Sequence, residues 1–230
     1  MSVKAKQEGY RQALSRVQFL TDTQKEYFHC IEDNTISFAT GYPGTGKTFV
    51  ACYAGLKGLL IKNDYDRMIV TKPCVEVGDD SLGFLPGDLE EKMEPFVRSI
   101  KETIAAIIGN ERMNQLFSDK RIEVLPLGHM RGMTIDNAFV VADEMQNANY
   151  LQTKTFLTRI GKNTKYVVNG DLGQTDIERG SGLPTFLRIL KGQRGVGVVD
   201  FALEDIVRSG ILRDIMVRIY HYEQTRGNAA

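Results

Sequence analysis

The sequence predicts a three-layer α/β fold with a mainly parallel sheet. Two observations lead to this fold class: strand-sized runs alternate with helical segments, and several of the runs are apolar on both faces. Strands of a parallel sheet are covered by helices on both sides, so they read as continuous apolar runs. The strands are predicted at 35–40, 67–72, 121–126, 137–142, 164–169 and 195–200.

Helical spacing of apolar residues predicts the helices between these strands. One helix is expected over 48–61 and a long one over 88–108, with Asp88 as its N-cap. A third has Thr21 or Asp22 as its cap and continues through apolar positions such as Phe28. The segment 73–87 contains glycine and proline and is too long for a plain connector, which is typical of a functional loop.

The composition is that of one globular domain. The chain has 230 residues, of which 42% are hydrophobic and 25% charged. We expect the domain to span 21–225, preceded by an exposed amphipathic helical extension over 1–20. Lysine and arginine number 29, as do aspartate and glutamate. No global basic field therefore attracts nucleic acid, and any such contact must come from a local patch.

The cysteines, Cys30, Cys52 and Cys74, lie far apart and form no ligand-like cluster with the histidines. This pattern argues against a zinc site, favours a reducing compartment and predicts that the cysteines are small core residues. No export signal or membrane span is evident in the sequence. We expect a cytoplasmic protein without a membrane partner.

The most specific motif follows the first predicted strand. Residues 41–48 match G-x-x-x-x-G-K-[ST], with a strand before and a helix after, which is the context this phosphate loop requires. Its backbone N–H groups and the helix N-terminus favour an anion. Lys47 is expected to reach the β- and γ-phosphates, and the Thr48 hydroxyl can ligate Mg²⁺. The predicted phosphate-binding residues are Gly41, Tyr42, Pro43, Gly44, Thr45, Gly46, Lys47 and Thr48.

A second apolar run, 138–142, ends in two acids, Asp143 and Glu144. In phosphate-loop enzymes such a strand lies beside the loop. The first acid holds Mg²⁺ and the second orients and activates the attacking water. Asp143 is predicted in the metal role and Glu144 in the role of the base. The alternative is an acidic strand end that faces solvent.

Two glutamines are candidates for contacts with the nucleotide. Gln174 follows the strand at 164–169, at the edge where ligands bind in such sheets, and could donate to the γ-phosphate or the attacking water. Gln24 carries a donor and an acceptor and could pair with the adenine edge. The alternatives are a polar turn for Gln174 and a surface residue for Gln24.

Together these elements resemble the PhoH family, single-lobed relatives of superfamily-one helicases. The resemblance extends from about Leu20 to Tyr222. It implies a RecA-like P-loop NTPase fold and an ATPase that uses ATP and Mg²⁺. The chain is similar to a short, phage-type member without a fused nuclease or RNA-binding module. The matching motifs are 82–88, 130–132, 143–147, 157–161, 170–174 and 205–208.

Hydrolysis of a γ-phosphoryl group is accelerated by an arginine finger, which superfamily-one helicases take from a second lobe. This chain has room for one core only, so the finger must come from within or from a neighbouring subunit. The candidates are Arg131, Arg159 and Arg208, and the alternative for each is a structural ion pair or a solvated position. We favour Arg208, because 204–208 is predicted to open a short helix after the last strand.

Supply of the finger by a neighbour implies head-to-tail interfaces, which close into rings. We therefore expect a homo-oligomer, for which a hexamer is one closed form. Two functions remain open: an ATPase coupled to single-stranded RNA or DNA, and a nucleotide-gated assembly protein with slow turnover and no nucleic-acid substrate. The expectation of ATP rather than GTP rests on Gln24 and on the family resemblance.

Overall fold

The computed structural model describes residues 3–74, 89–173 and 180–227. Six parallel strands form one sheet in the order β3-β2-β4-β5-β1-β6. The predicted strands are confirmed to within one residue at either end. Their bounds are β1 Ile36–Gly41, β2 Arg67–Lys72, β3 Ile122–Pro126, β4 Ala138–Ala142, β5 Lys165–Asn169 and β6 Val196–Phe201.

Helices cover both faces of the sheet, which makes three layers. Alternate strand residues enter two separate apolar clusters: Ala39 and Val141 face one, and Phe38 and Val140 face the other. The three-layer prediction is therefore confirmed. The helices are α1 Val3–Ser15, α2 Asp22–Asp33, α3 Lys47–Lys57, α4 Leu89–Ile108, α5 Asn110–Ser118, α6 Tyr150–Leu157, α7 Leu183–Ile189 and α8 Gly210–Gly227.

Helices α2, α3 and α4 can be compared with the helices that the sequence predicts. Helix α2 starts after Thr21, whose hydroxyl accepts a hydrogen bond from the backbone N–H of Gln24 at 3.1 Å, as expected for an N-cap. Helix α3 continues through a π-helical turn over Gly58–Lys62, so helical structure covers the predicted range 48–61. Helix α4 begins at Leu89, and its predicted cap Asp88 lies outside the described residues, as does most of the loop 73–87.

Three sequence predictions need correction. The first helix is not simply exposed, because Tyr10 and Leu14 are buried in the main apolar cluster. Of the cysteines, Cys52 is buried as predicted, but Cys74 is exposed. The helix predicted at 204–208 is a short 3₁₀ turn over Leu203–Asp205, and the long helix α8 that follows was not predicted. None of the described helices is long and apolar enough to cross a membrane.

Candidate nucleotide site

The phosphate loop joins the end of β1 to the start of α3. Gly41, Gly44 and Gly46 have φ angles of 112°, 76° and 86°, in the left-handed region that favours glycine. A Cβ atom on Gly41 would lie 2.0 Å from the Phe201 carbonyl oxygen, so only glycine fits between β1 and β6 there. The loop conformation therefore depends on Gly41 and Gly46, which the motif specifies, and on Gly44, which stands at one of its variable positions.

Lys47 lies across the loop that precedes it. Its ammonium donates to the carbonyl oxygens of Gly41 at 2.6 Å and Tyr42 at 2.7 Å. Desolvation lowers the pKa of Lys47, and the negative charges of Asp171, Asp143 and Glu144 oppose that shift. The half-buried lysine is thus one cation facing three acids.

Thr48 connects the loop to the acidic strand. Its hydroxyl donates to Asp143 Oδ2 at 2.9 Å, across 95 positions of sequence. Desolvation, together with the neighbouring charge of Glu144, raises the pKa of Asp143, while Thr48, Asn169 and Lys47 act against that shift. The two residues predicted to hold a metal therefore converge on one point.

Glu144 is exposed and adopts a left-handed conformation with φ 55°, which is uncommon outside glycine. Its carboxylate accepts a hydrogen bond from the Gln146 amide at 2.6 Å. The side-chain oxygen of Gln146 accepts a hydrogen bond from the Asp171 backbone N–H at 3.0 Å. Gln146 therefore ties the predicted base to the end of the neighbouring strand β5.

Gln24 is buried behind the loop rather than at the surface. Its side-chain amide donates to the Thr45 carbonyl at 2.9 Å and accepts from the Leu20 N–H at 2.8 Å. It is 3% exposed, so the alternative of a surface residue is wrong. Its observed contacts support the loop, and its pairing with adenine stays a prediction.

Residues 16–221 match the family described as PhoH-like protein. The chain belongs to this family. The PhoH-like protein of Synechocystis is 40% identical over 89% of this chain and 62% of its own length. The PhoH-like protein of Bacillus subtilis is 38% identical over 84% of this chain and 60% of its own length.

Protein PhoH of Escherichia coli K12 is 40% identical over 83% of this chain and 54% of its own length. This PhoH-like chain thus matches 54–62% of the length of these three curated relatives. Among solved structures, the Hef helicase domain of Pyrococcus furiosus superposes with a TM-score of 0.47 at 12% identity. That superposition covers 85% of this chain and 40% of the Hef chain, and it is too loose to bear on function.

The three candidate arginines of the PhoH-like chain lie in different places. Arg208 precedes α8 beside the loop, where its Cβ lies 3.3 Å from the position of a Cβ on Gly44. Arg131 follows β3, which lies four strand positions from β1 in the sheet. At ordinary strand spacing these two strands are roughly 19 Å apart. The backbone of Arg159 bonds to Ile135, ahead of the start of β4 and therefore at the edge of the sheet opposite the loop.

The residues present fit a magnesium ion bound with a nucleotide. Mg²⁺ takes oxygen ligands and binds through one or two protein groups together with substrate phosphates. Thr48 and Asp143 supply two such oxygens in mutual contact. Within the described ranges, no group of three or more histidine, cysteine, aspartate or glutamate side chains could hold a metal without a nucleotide.

Two residues of this site were assigned no role from the sequence, and the structure does not test one residue that was assigned a role. No role was given to Gln146 and Asp171, although both lie within the family motifs 143–147 and 170–174. A polar residue just past the end of a buried strand is the signal that could have found Asp171. Gln174, the predicted γ-phosphate contact, lies outside the described residues and stays a prediction.

Proposed function

We propose that this PhoH-like chain is a Mg²⁺-dependent ATPase whose hydrolysis is coupled to the handling of RNA or DNA. The observation that carries the proposal is the hydrogen bond between Thr48 and Asp143. It joins the phosphate loop to the acidic strand, and it brings a hydroxyl and a carboxylate to the place where the loop would hold phosphates. A structural glycine turn would not require this pairing.

Binding of the triphosphate is assigned to the loop and to Lys47. Backbone N–H groups at the start of α3 and the helix dipole attract the anion. The ammonium of Lys47 lies 2.6–2.7 Å from two loop carbonyls, and it would exchange them for the β- and γ-phosphates of a bound triphosphate. Thr48 and Asp143 would hold the Mg²⁺, which neutralises charge on the phosphates when bound.

Glu144 is assigned the role of the base. Its exposed carboxylate can receive a proton from water, and the hydrogen bond from Gln146 fixes its direction. Its left-handed backbone supports the same role, because strained conformations concentrate at functional sites. Gln174 is proposed to contact the γ-phosphate, and Gln24 is proposed to select adenine.

Arg208 is the proposed arginine finger. It is exposed and, among the residues that the structure describes, it makes no ion pair. Of the three candidates it lies nearest to the loop of its own chain, because the backbone N–H of Val207 donates to the Gly44 carbonyl at 3.0 Å. This position serves a site in the same chain or a site in an adjacent subunit.

A homo-oligomer is part of the proposal. Three isoleucines at four-residue spacing, Ile211, Ile215 and Ile219, form one face of α8 and are 67%, 46% and 43% exposed. Contiguous exposed apolar residues mark interaction surfaces. Since this face begins three residues after Arg208, a second copy bound there would lie close to the nucleotide site. A hexameric ring is one closed arrangement of such contacts.

The same isoleucine face favours a second candidate, a nucleotide-gated assembly protein with slow turnover. Zero net charge provides no general attraction for nucleic acid, so assembly alone would account for the surface. The two candidates share one pocket and differ in whether nucleic acid changes the rate of hydrolysis.

The test is phosphate release from ATP and from GTP, with and without Mg²⁺, at several concentrations of single-stranded RNA and DNA. The proposal expects Mg²⁺-dependent ATP hydrolysis that nucleic acid accelerates and that salt weakens. Sizing is run at the same protein concentrations. Hydrolysis without any response to nucleic acid would favour the assembly protein, and a strictly monomeric mass with full activity would overturn the oligomer.

A further inference from the structure

The strand order places β5 between the phosphate-loop strand β1 and the acidic strand β4. Its last residue, Asn169, pairs with Ala39 of β1, and the preceding residue pairs with Ala142 of β4, next to Asp143. Asn169 is 1% exposed. A polar amide therefore lies buried between the two halves of the nucleotide site.

We infer that Asn169 and Tyr27 form a positioning pair that orients the Asp143 carboxylate for Mg²⁺. The inference rests on the proposed function, because it concerns how the same site binds its metal. Neither residue is expected to touch the nucleotide. Tyr27 acts on Asn169, and Asn169 acts on Asp143.

The hydrogen bond between the pair fixes which way the amide points. Tyr27 is fully buried, and desolvation raises its pKa well above the usual range, so the phenol is neutral and donates. It donates to Asn169 Oδ1 at 2.5 Å, across 142 positions of sequence. With its oxygen bound to Tyr27, the amide has only its nitrogen to offer to the opposite side.

Asn169 and Asp143 stand next to each other on adjacent strands, because Val168 of β5 pairs with Ala142 of β4 and each is followed by one of these two residues. In keeping with this position, the Asn169 side chain lowers the pKa of Asp143, as a donor to the charged form does. Among the described residues, however, no acceptor meets Asn169 Nδ2 with good hydrogen-bond geometry. A buried donor without a full partner is costly and calls for a functional explanation. The explanation would be that the Asp143 carboxylate accepts a hydrogen bond from Asn169 Nδ2 once it turns toward a bound cation.

Helix α2 makes the pair rigid. The Tyr27 ring packs edge-on against Phe201 at 5.6 Å and is enclosed by the main apolar cluster. Gln24, one helical turn earlier on the same face, binds the Thr45 carbonyl of the phosphate loop. One helix therefore supports the loop through Gln24 and the metal-binding acid through Tyr27.

Such outer partners of metal ligands typically account for about 10–100-fold in metal affinity. Tyr27→Phe removes the hydroxyl alone and retains the ring. We expect this variant to bind Mn²⁺ about 10–100-fold more weakly in the presence of ATP, measured by electron paramagnetic resonance of the free ion. Its affinity for ATP in buffer with a chelator should stay within about twofold of the unchanged protein, because the loop is untouched.

Tyr10→Phe is the matched control. Tyr10 is buried in the same apolar cluster, and its hydroxyl has no hydrogen-bond partner among the described residues. Removal of that hydroxyl should leave Mn²⁺ affinity unchanged. Thermal melting of both variants shows whether a loss of affinity merely reflects a loss of folded protein.

Asn169→Ala separates positioning from general packing. Since Tyr27 acts through Asn169, the double variant with Tyr27→Phe should lose no more Mn²⁺ affinity than Asn169→Ala alone. If Asn169→Ala does not fold, Asn169→Ser is used instead. Serine retains a shorter hydrogen-bond donor, so this variant should lose less Mn²⁺ affinity than removal of the donor would. Independent, additive losses would show two structural residues and overturn the inference.

The two proposals fail in different ways. If the unchanged protein binds no Mn²⁺ with ATP, the proposed function fails and this inference fails with it. If the unchanged protein binds Mn²⁺ and Tyr27→Phe binds it equally well, only the positioning pair is overturned.

Discussion

The phosphate loop and the C-terminal segment 206–227 touch each other but are built in opposite ways. In the loop, Lys47, Thr48 and the buried Thr45 all make hydrogen bonds within the chain. The segment before and along α8 exposes Arg208 and the isoleucine face. The side chains of the loop are thus bonded within the chain, whereas the segment exposes Arg208 and an apolar face.

The two regions meet through backbone and aromatic contacts. The Val207 N–H donates to the Gly44 carbonyl, and the Tyr42 and Tyr220 rings meet edge-on at 6.2 Å. From this difference we expect that binding of the triphosphate and acceleration of its hydrolysis are separable. Changes in the loop should act on both in any assembly state, and changes in the segment should act on hydrolysis.

The largest effect is expected from Arg208→Ala. An arginine finger is worth about 10³–10⁵ in rate, so turnover should fall within that range while ATP affinity changes little. The measurement is steady-state phosphate release beside equilibrium binding of a fluorescent ATP analogue. Arg213→Ala, an exposed arginine on α8, is the control and should retain full turnover. Equal rates of phosphate release for both variants would contradict the assignment of Arg208 as the arginine finger.

Lys47→Ala should reduce both binding and turnover. Removal of one donor from a charge-stabilising site costs about 10²–10³ in rate, and this lysine also contributes to ground-state affinity. Lys57→Ala provides the control, because Lys57 lies on the same helix and pairs with Glu32 at 3.2 Å. ATP affinity of Lys47→Ala equal to that of the control would contradict the assignment of the loop.

Gly44→Ala tests the contact between the two regions through stability. With φ at 76° the substitution places a side chain in the left-handed region, which costs about 1–2 kcal/mol. The new Cβ would also lie 2.9 Å from Leu212 Cδ2. The melting temperature should therefore fall by about 2–4 °C for each kcal/mol.

In a Leu212→Ala background the cost of Gly44→Ala should be smaller, because the contact partner is gone. A double-mutant cycle measured by thermal melting reports this coupling. Strictly additive effects of the two substitutions would show that the segment does not rest on the loop.

Asp143→Asn should produce the smallest effect, a gain in stability without Mg²⁺. The folded protein raises the pKa of Asp143 above its ordinary 3.8, so the charged form destabilises the fold at neutral pH. The gain should shrink as the pH falls through the raised pKa of the folded state, and it should disappear only below 3.8, where the carboxyl becomes protonated in the unfolded chain as well. Thermal melting at pH 7 and at about pH 3, in buffer with a chelator, checks this, and a destabilised variant at pH 7 would contradict it.

The parts of the molecule that sequence predicted best are those with a local signal. Apolar runs located all six strands, and the spacing of Gly41 to Thr48 located the loop, because both patterns are set by neighbours in sequence. The acids Asp143 and Glu144 followed from their position at the end of a strand.

The parts that sequence could not predict depend on which strands become neighbours. Nothing in the chain between Tyr27 and Asn169 indicates that they meet, since their contact arises from β5 lying between β1 and β4. Gln146 was missed for the same reason. Helix α8 was not predicted, although Ile211, Ile215 and Ile219 recur at the four-residue spacing that indicates a helix, so this signal was present in the sequence.

A single-turnover experiment on Glu144→Gln tests most directly whether this site hydrolyses ATP. A general base contributes about 10²–10⁴ in rate, so the variant should bind ATP as the unchanged protein does and cleave it slower by that factor. Glu204→Gln, an exposed acid near the end of β6, is the control and should cleave at the full rate. Undiminished cleavage by Glu144→Gln would contradict the assignment of Glu144 as the base.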